Sequence, residues 1–165
     1  VSRTKGGGVL RELSHEFDLL YYLFGAPQNV TGFTGCQRFY EFDVEDTASL
    51  SLLYGNENHP IIASVMMDFT RWDLSRHITI VASGGTIFWD LIGGKISFFK
   101  DGCDEKILFE DPSDISLTHE RMWKSLLSGN LASFCDVNVA KQHILLIEKI
   151  ESIQGSVILN GKIKP

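Results

Sequence analysis

Apolar residues at helical spacing begin near the start of the chain. Between Val9 and Phe24 they recur every three or four positions, which predicts one amphipathic α-helix. Gly25 and Pro27 predict its end, because glycine readily closes a helix and proline cannot continue one. The predicted inner face of this helix consists of Leu10, Leu13, Phe17, Leu20, Tyr21 and Phe24.

Seven short runs rich in β-branched and aromatic residues follow the helix, and Gly, Asn and Asp turn signals separate them. Because the turns between them are short, we expect consecutive runs to pair as antiparallel strands. The runs are NVTGFTGCQRFY, TASLSLLY, IIASVMMDF, RHITIVAS, TIFWDL, KISFF and EKILFE.

Helical spacing returns after the turn sequence DPSD. Ser113 or Asp114 is expected to cap a helix over about Ile115 to Leu127, and a last helix is expected near Val137 to Gln154. A short strand, SVILN, should close the chain. The apolar side of the last helix is predicted to hold Val139, Ile144, Leu145, Ile147 and Ile150.

This order of elements predicts an α+β fold. We expect an open, mostly antiparallel sheet with the helices packed on one face. A chain of 165 residues is predicted to form a single domain. The runs TASLSLLY and IIASVMMD are too apolar for one sheet face to be fully solvated, which predicts a homodimer or tetramer through that face.

Charge and cysteine content exclude several classes of protein. Lys and Arg number 15 against 21 Asp and Glu, and no basic cluster is interleaved with aromatic residues, so nucleic acid is not an expected partner. The apolar runs are far shorter than the roughly 20 residues of a membrane-spanning helix. Three cysteines without CxxC spacing predict reduced thiols and a cytoplasmic protein.

Several catalytic and binding motifs can be tested and rejected. The three glycines at positions 6–8 do not fit GxGxxG, so a flexible hinge that lets the backbone approach another group closely is favoured over nucleotide binding. HEFDL and HERMW each lack the second histidine of a zinc protease. His15, Asp18, Glu12 and His119 have the side chains of metal ligands, but their spacing gives a metal-dependent enzyme little support, and no metal is expected.

A polar stripe runs along the first predicted helix. At about 100° per residue, Arg11, His15, Asp18 and Tyr22 fall in one sector. Leu19 and Leu23 lie on the flank opposite the inner face, so we expect the helix to pack against two partners. His15 and Asp18 form either a solvated surface pair or a pair for acid–base chemistry near neutral pH.

The stretch GGGVLRELSHEFDLLYYLFGAPQNVTG has three glycines before a helix with a His-x-x-Asp pair. It resembles the start of the C-terminal domain of the glucose-fructose oxidoreductase, inositol dehydrogenase and rhizopine-catabolism (Gfo/Idh/MocA) family. MDFTRWDLSRHITIVASGGTIFWDL resembles the central strands of that family, and CDVNVAKQHILLIEKIESIQGSVI resembles its final helix and strand. The resemblance covers nearly the whole chain.

The resemblance implies an oxidoreductase that uses NAD or NADP and acts on a sugar, a polyol or a nucleotide-linked sugar. In that family a Rossmann domain binds the cofactor, whereas this sequence has neither GxGxxG with a following acidic residue nor the family's EKP-like motif. We therefore interpret the chain as the substrate-binding and oligomerisation domain. By itself it is expected to be inactive and to bind no cofactor.

The resemblance also assigns roles to residues of the first helix. It implies that His15 is catalytic, that Asp18 holds a substrate hydroxyl or orients His15, and that the second flank faces the Rossmann domain. Family members commonly have an aspartate where this sequence has Arg11. Either Glu12 supplies that carboxylate, or Arg11 binds an anionic substrate.

Arg71, next to the central strands, either contacts a charged substrate or forms an ordinary surface ion pair. The alternative to a catalytic domain is a non-catalytic sugar-binding or interaction module that keeps the fold.

Overall fold

The computed structural model describes residues 6–37, 44–111, 115–132 and 134–152. The chain divides into two compact units, one formed by Val1–Arg71 with Cys135–Pro165 and the other by Trp72–Phe134. The elements in chain order are α1 (Val9–Glu12), α2 (His15–Phe24), β1 (Asn29–Gly35), β2 (Thr47–Asn56), β3 (His59–Asp68), β4 (His77–Ala82), β5 (Gly85–Asp90), β6 (Lys95–Phe99), β7 (Lys106–Glu110), α3 (Ile115–Leu127) and α4 (Val137–Ser152).

The first unit holds α1, α2 and α4 against one three-stranded sheet with the order β1-β2-β3. Both pairings are antiparallel, and Leu52 lies opposite Val30 on one side and Ala63 on the other. Residues of β2 alternate between buried and exposed, as expected for a strand with one face in the core. The buried cluster combines Leu50, Leu52 and Tyr54 of β2 with Phe17, Leu20, Ile147 and Ile150 of the helices.

The second unit holds α3 and a four-stranded antiparallel sheet with the order β4-β5-β6-β7. All seven predicted strands are therefore present, and the α+β class is confirmed. Their pairing places them in two sheets, three strands in one and four in the other. The expectation of a single domain stays a prediction.

The helices match the predictions in type, with one difference at the start of the chain. The structure has two helices, α1 and α2, where the sequence predicts one. At the junction the N–H groups of Glu16 and Phe17 donate to the carbonyls of Leu13 and Ser14, three residues back instead of four. This tighter turn interrupts the helix while Leu10, Phe17 and Leu20 all stay buried, so the predicted inner face is confirmed.

Helix α3 has the predicted bounds, and α4 begins at the predicted Val137. Asp136 caps α4, because its Oδ1 accepts from the N–H groups of Asn138 and Val139 at 2.7 and 2.9 Å. The predicted apolar side of α4 is wrong in part: Ile144 and Leu145 are exposed, whereas Ile147 and Ile150 are buried.

Two predictions, the Ser113 or Asp114 cap of α3 and the closing strand SVILN, lie outside the described residues.

None of the helices that the structure describes combines the length and apolarity needed to cross a bilayer. Cys36, Cys103 and Cys135, all within the described ranges, are thiols without a disulfide bond.

Candidate functional site

The glycine loop before α1 makes a close approach to Glu45. Gly8 has φ 123° and ψ 154°, a conformation that side chains other than glycine rarely adopt, and a Cβ there would overlap the Glu45 carboxylate. The N–H of Val9 donates to the Glu45 carbonyl at 3.0 Å, and the N–H of Leu10 donates to Glu45 Oε1 at 3.3 Å. The predicted close backbone approach is confirmed.

This loop does not fit a dinucleotide cofactor. Phosphate binding at a helix N-terminus needs N–H groups that point at the ligand, and here Glu45 already accepts from two of them. A pyrophosphate would also meet the negative charge of that carboxylate.

His15 is the first residue of α2, directly after the interruption between the two helices. Its side chain is 52% exposed, and its Nε2 lies 3.2 Å from Glu16 Oε1. The imidazole is therefore accessible, and a carboxylate stands beside one of its nitrogens. This combination can accept a proton and stabilise the charged ring.

Asp18 follows one turn later and faces His143 of α4. The distance from Asp18 Oδ1 to His143 Nδ1 is 3.8 Å. Cys135, which precedes α4, has its Sγ within 4.8 Å of an Asp18 carboxylate oxygen, and its thiol donates to the Asp136 carbonyl at 3.6 Å. Desolvation of the thiol, together with the nearby carboxylates of Asp18 and Asp136, raises the pKa of Cys135.

Arg11 lies on α1 and pairs with Glu151 of α4. Its Nε donates to Oε1 at 3.0 Å and its Nη2 donates to Oε2 at 2.9 Å, so the pair is bidentate. An anionic substrate would have to compete with Glu151 for this guanidinium. Glu12, the other residue proposed from the sequence to replace the family's aspartate, is exposed at the end of α1.

Arg71 lies on a different part of the fold, just beyond β3. Its N–H donates to Asp68 Oδ1 at 2.8 Å, and Asp68 also accepts from the N–H of Thr70 at 3.0 Å. Asp68 thereby holds the turn that presents Arg71 at the surface. Its contact with a substrate stays a prediction.

The second flank of α2 is predicted to consist of Leu19 and Leu23. Leu23 is 36% exposed and Leu19 is partly buried, while Phe17 and Leu20 on the inner face are buried. Packing of this flank against a second partner stays a prediction.

A cavity of about 160 Å³ lies between α2, β1, β2 and α4. Its lining includes Phe17, Tyr21, Tyr54, His143 and Leu146. Burial raises the pKa of Tyr54 to about 12, because the charged phenolate is poorly solvated there. Since His15 is not among the described lining residues, the cavity is separate from the exposed imidazole.

Sequence reasoning missed two residues of this region, Cys135 and His143. A signal for His143 exists, because His143, Ile147 and Ile150 follow the spacing i, i+4 and i+7 of one helix face, and all three are buried. For Cys135 we find no local signal, because its neighbour Asp18 is more than 100 residues away in the chain.

Comparisons with known proteins give one family match and a similarity of fold. The family model described as the GFO/IDH/MocA C-terminal domain matches residues 1–88. No curated protein matches the sequence.

A solved structure with a similar fold is the UDP-N-acetylglucosamine 3-dehydrogenase GnnA from Acidithiobacillus ferrooxidans, with a TM-score of 0.69 and 15% sequence identity. The similarity covers 88% of this chain and 46% of that chain, so this chain spans about half the length of the dehydrogenase.

Proposed function

Since the chain belongs to the GFO/IDH/MocA C-terminal domain family, we propose that it is the substrate-binding domain of an NAD(P)-dependent oxidoreductase. The substrate class is a sugar, a polyol or a nucleotide-linked sugar that reacts at a hydroxyl group. The observation that carries the proposal is the exposed His15 at the start of α2, with Glu16 Oε1 3.2 Å from its Nε2. His15 is the proposed catalytic residue.

In this proposal His15 exchanges a proton with the substrate hydroxyl. When the hydroxyl is oxidised, the imidazole takes the proton, and Glu16 stabilises the charged ring. The nicotinamide supplies the hydride chemistry when it is bound. Because the side chain of His15 is half exposed, a substrate can reach the ring without displacing a core residue.

The carboxylates near His15 are proposed to position the substrate. Glu12 is exposed close to His15 in the chain, and the Asp18 side chain is 48% exposed. A carboxylate can accept hydrogen bonds from sugar hydroxyls with either oxygen. For Arg11 a substrate contact requires that the bidentate pair with Glu151 opens, and Arg71 is the second proposed contact to an anionic group.

The cofactor is proposed to bind to a Rossmann domain of the parent protein. The glycine loop of this chain does not fit a pyrophosphate, since Glu45 already accepts from its N–H groups. On the flank formed by Leu19 and Leu23, the exposed Leu23 and the neighbouring Tyr22 support a domain contact, because apolar side chains of this size gain free energy when they are covered. We expect the parent protein to be cytoplasmic.

A homodimer or tetramer through the three-stranded sheet is also proposed. Phe33 and Met66 both lie opposite Ser49 in the register, and Ile62 lies opposite Leu53. Cross-strand partners lie on the same face, and Phe33, Ile62 and Met66 are 62%, 72% and 65% exposed. An apolar face of this kind is typical of a protein interface.

The experiment that tests the function uses the parent protein with its cofactor domain. Wild type, His15→Ala and the control His119→Ala are assayed by reduced nicotinamide absorbance. The panel contains sugars, sugar acids, polyols and nucleotide-sugars, including UDP-N-acetylglucosamine. His119 lies on α3 in the other unit and is exposed, so its loss should leave the rate unchanged.

We expect His15→Ala to lower kcat by about 10²- to 10⁴-fold, the usual contribution of a general acid–base group. Circular dichroism should show the same fold for all three proteins. An activity of His15→Ala close to that of wild type would refute the assigned role. Sugar binding without turnover of any panel member would favour the non-catalytic binding module.

A further inference from the structure

Three side chains with metal-binding atoms meet where α4 packs on α2. Asp18 comes from α2, His143 comes from α4, and Cys135 precedes α4. One ligand atom from each lies within 4.8 Å of the other two. We propose that these side chains bind a zinc ion that ties the start of α4 to α2, a site that shares the Asp18 carboxylate with the proposed substrate contacts and includes no atom of His15.

The spacing of the ligand atoms is close to that of a metal site. In a tetrahedral zinc site neighbouring nitrogen and oxygen ligands are about 3.3 to 3.5 Å apart, and pairs that include sulfur are slightly farther apart. The distance from His143 Nδ1 to Asp18 Oδ1 is 3.8 Å, which is too long for a hydrogen bond and a few tenths of an ångström longer than in such a site. Cys135 Sγ lies within 4.8 Å of both atoms, so modest side-chain movements would close the three ligands around an ion.

His143 presents its Nδ1 to the cluster. The residue is only 9% exposed, and Nδ1 is the ring nitrogen that lies 3.8 Å from Asp18 Oδ1. The ring is also approached edge-on by Tyr21. An ion held by Nδ1 would leave the ring proton on Nε2, which is buried without a hydrogen-bond partner among the described residues.

The set of donors selects the metal. One thiolate, one imidazole and one carboxylate form a mixed set that suits zinc and that magnesium and calcium do not favour. The Cys135 thiol lies within 4.8 Å of the Asp18 carboxylate and donates its proton to the Asp136 carbonyl. Zinc would take the place of that thiol proton, which is released to solvent, and a water would complete the fourth position because Cys135 is exposed.

Such an ion would connect parts of the chain that are far apart in sequence. Asp18 and Cys135 are more than 100 residues apart, and α4 is also tied to α1 by Arg11 and Glu151. A ligand that binds only the folded state stabilises it. Zinc is therefore expected to raise the thermal midpoint of the unit that carries α2.

The test uses the full chain after removal of bound metal, titrated with cobalt(II) as a spectroscopic substitute for zinc. A thiolate ligand gives a charge-transfer band in the near ultraviolet, and tetrahedral geometry gives intense visible bands. We expect one cobalt per chain, displaced by zinc. Cys135→Ser should remove the charge-transfer band and weaken zinc binding by at least about tenfold.

The matched control is Cys103→Ser, which removes an exposed thiol in the other unit and should keep both bands. His143→Gln, a substitution at a buried position, should lose the visible bands. The fold of His143→Gln is checked by circular dichroism. If this variant unfolds, the test depends on Cys135→Ser, a substitution at an exposed position. No saturable cobalt binding by the wild type, or a charge-transfer band that survives Cys135→Ser, would overturn the proposal.

Discussion

Gly8, before the helices α1 and α2, is a position sensitive to a single added methyl group. Alanine there must adopt φ 123°, and its Cβ would overlap the Glu45 carboxylate. That carboxylate is the mobile end of a side chain and can rotate away. It would then give up the hydrogen bond that it accepts from the N–H of Leu10 at 3.3 Å.

The cost of Gly8→Ala therefore has two parts. The unfavourable backbone conformation costs about 1 to 3 kcal/mol, and the lost hydrogen bond costs about 1 kcal/mol. Together they predict a loss of about 2 to 4 kcal/mol in the free energy of unfolding. Gly6→Ala is the matched control, because Gly6 also has a positive φ of 72° but open space around its added Cβ, which predicts only about 1 to 2 kcal/mol.

The assay is urea denaturation followed by far-ultraviolet circular dichroism, with hydrogen exchange of α1 and α2 amides as a local measure. Tryptophan fluorescence is unsuitable, because Trp72, Trp89 and Trp123 all belong to the other unit. In a Glu45→Ala background the cost of Gly8→Ala should fall by about 1 kcal/mol, since the hydrogen bond is already gone. Equal costs for Gly8→Ala and Gly6→Ala would refute the reasoning.

Three further predictions concern charge and titration. Arg11→Ala should lower the free energy of unfolding by at most about 1 kcal/mol, since both partners are more than one third exposed; a loss above about 2 kcal/mol would contradict a surface pair. Burial raises the pKa of Tyr54 to about 12, so the folded state favours the neutral phenol. The contribution of Tyr54 to the free energy of unfolding is therefore complete below about pH 10 and is lost as the pH rises toward 12. At roughly 1.4 kcal/mol per pKa unit, the free energy of unfolding should fall by on the order of 2 to 3 kcal/mol over that pH range. Urea denaturation should therefore show a flatter dependence of stability on pH for Tyr54→Phe than for wild type. Identical pH profiles for the two proteins would contradict the prediction. Hydrogen bonds lower the pKa of Glu105, and the largest contribution comes from the hydroxyl of Ser97. In Ser97→Ala, carbon NMR should therefore show a higher pKa for Glu105. An unchanged titration of Glu105 would refute the contribution of Ser97.

Local sequence patterns determined the elements of this protein. The helix α3, the start of α4 and the seven strands follow from apolar spacing and turn residues, which act over a few neighbouring positions. Gly25 ends α2 as predicted, with φ 77° and its N–H donating to the Tyr21 carbonyl at 2.7 Å. These features need no information from distant parts of the chain.

Contacts between distant segments decided the candidate site. Periodicity placed Arg11, His15 and Asp18 on one stripe of a continuous helix, but the helix is interrupted after Glu12. Arg11 pairs with Glu151, and Asp18 faces His143. Both partners lie on α4, and a pattern within the first helix contains no information about which side chains of another helix will face it.

The sequence by itself thus determined the order and type of the elements, the inner face of α1 and α2, and the family resemblance that names His15. Only the tertiary structure decided that β1–β3 and β4–β7 form separate sheets, that Glu45 accepts from the glycine loop, and that Asp18, Cys135 and His143 meet. The physical reason is the separation along the chain over which each interaction acts. Backbone preferences act within a turn, whereas packing of α4 on α2 joins residues that are more than 100 positions apart.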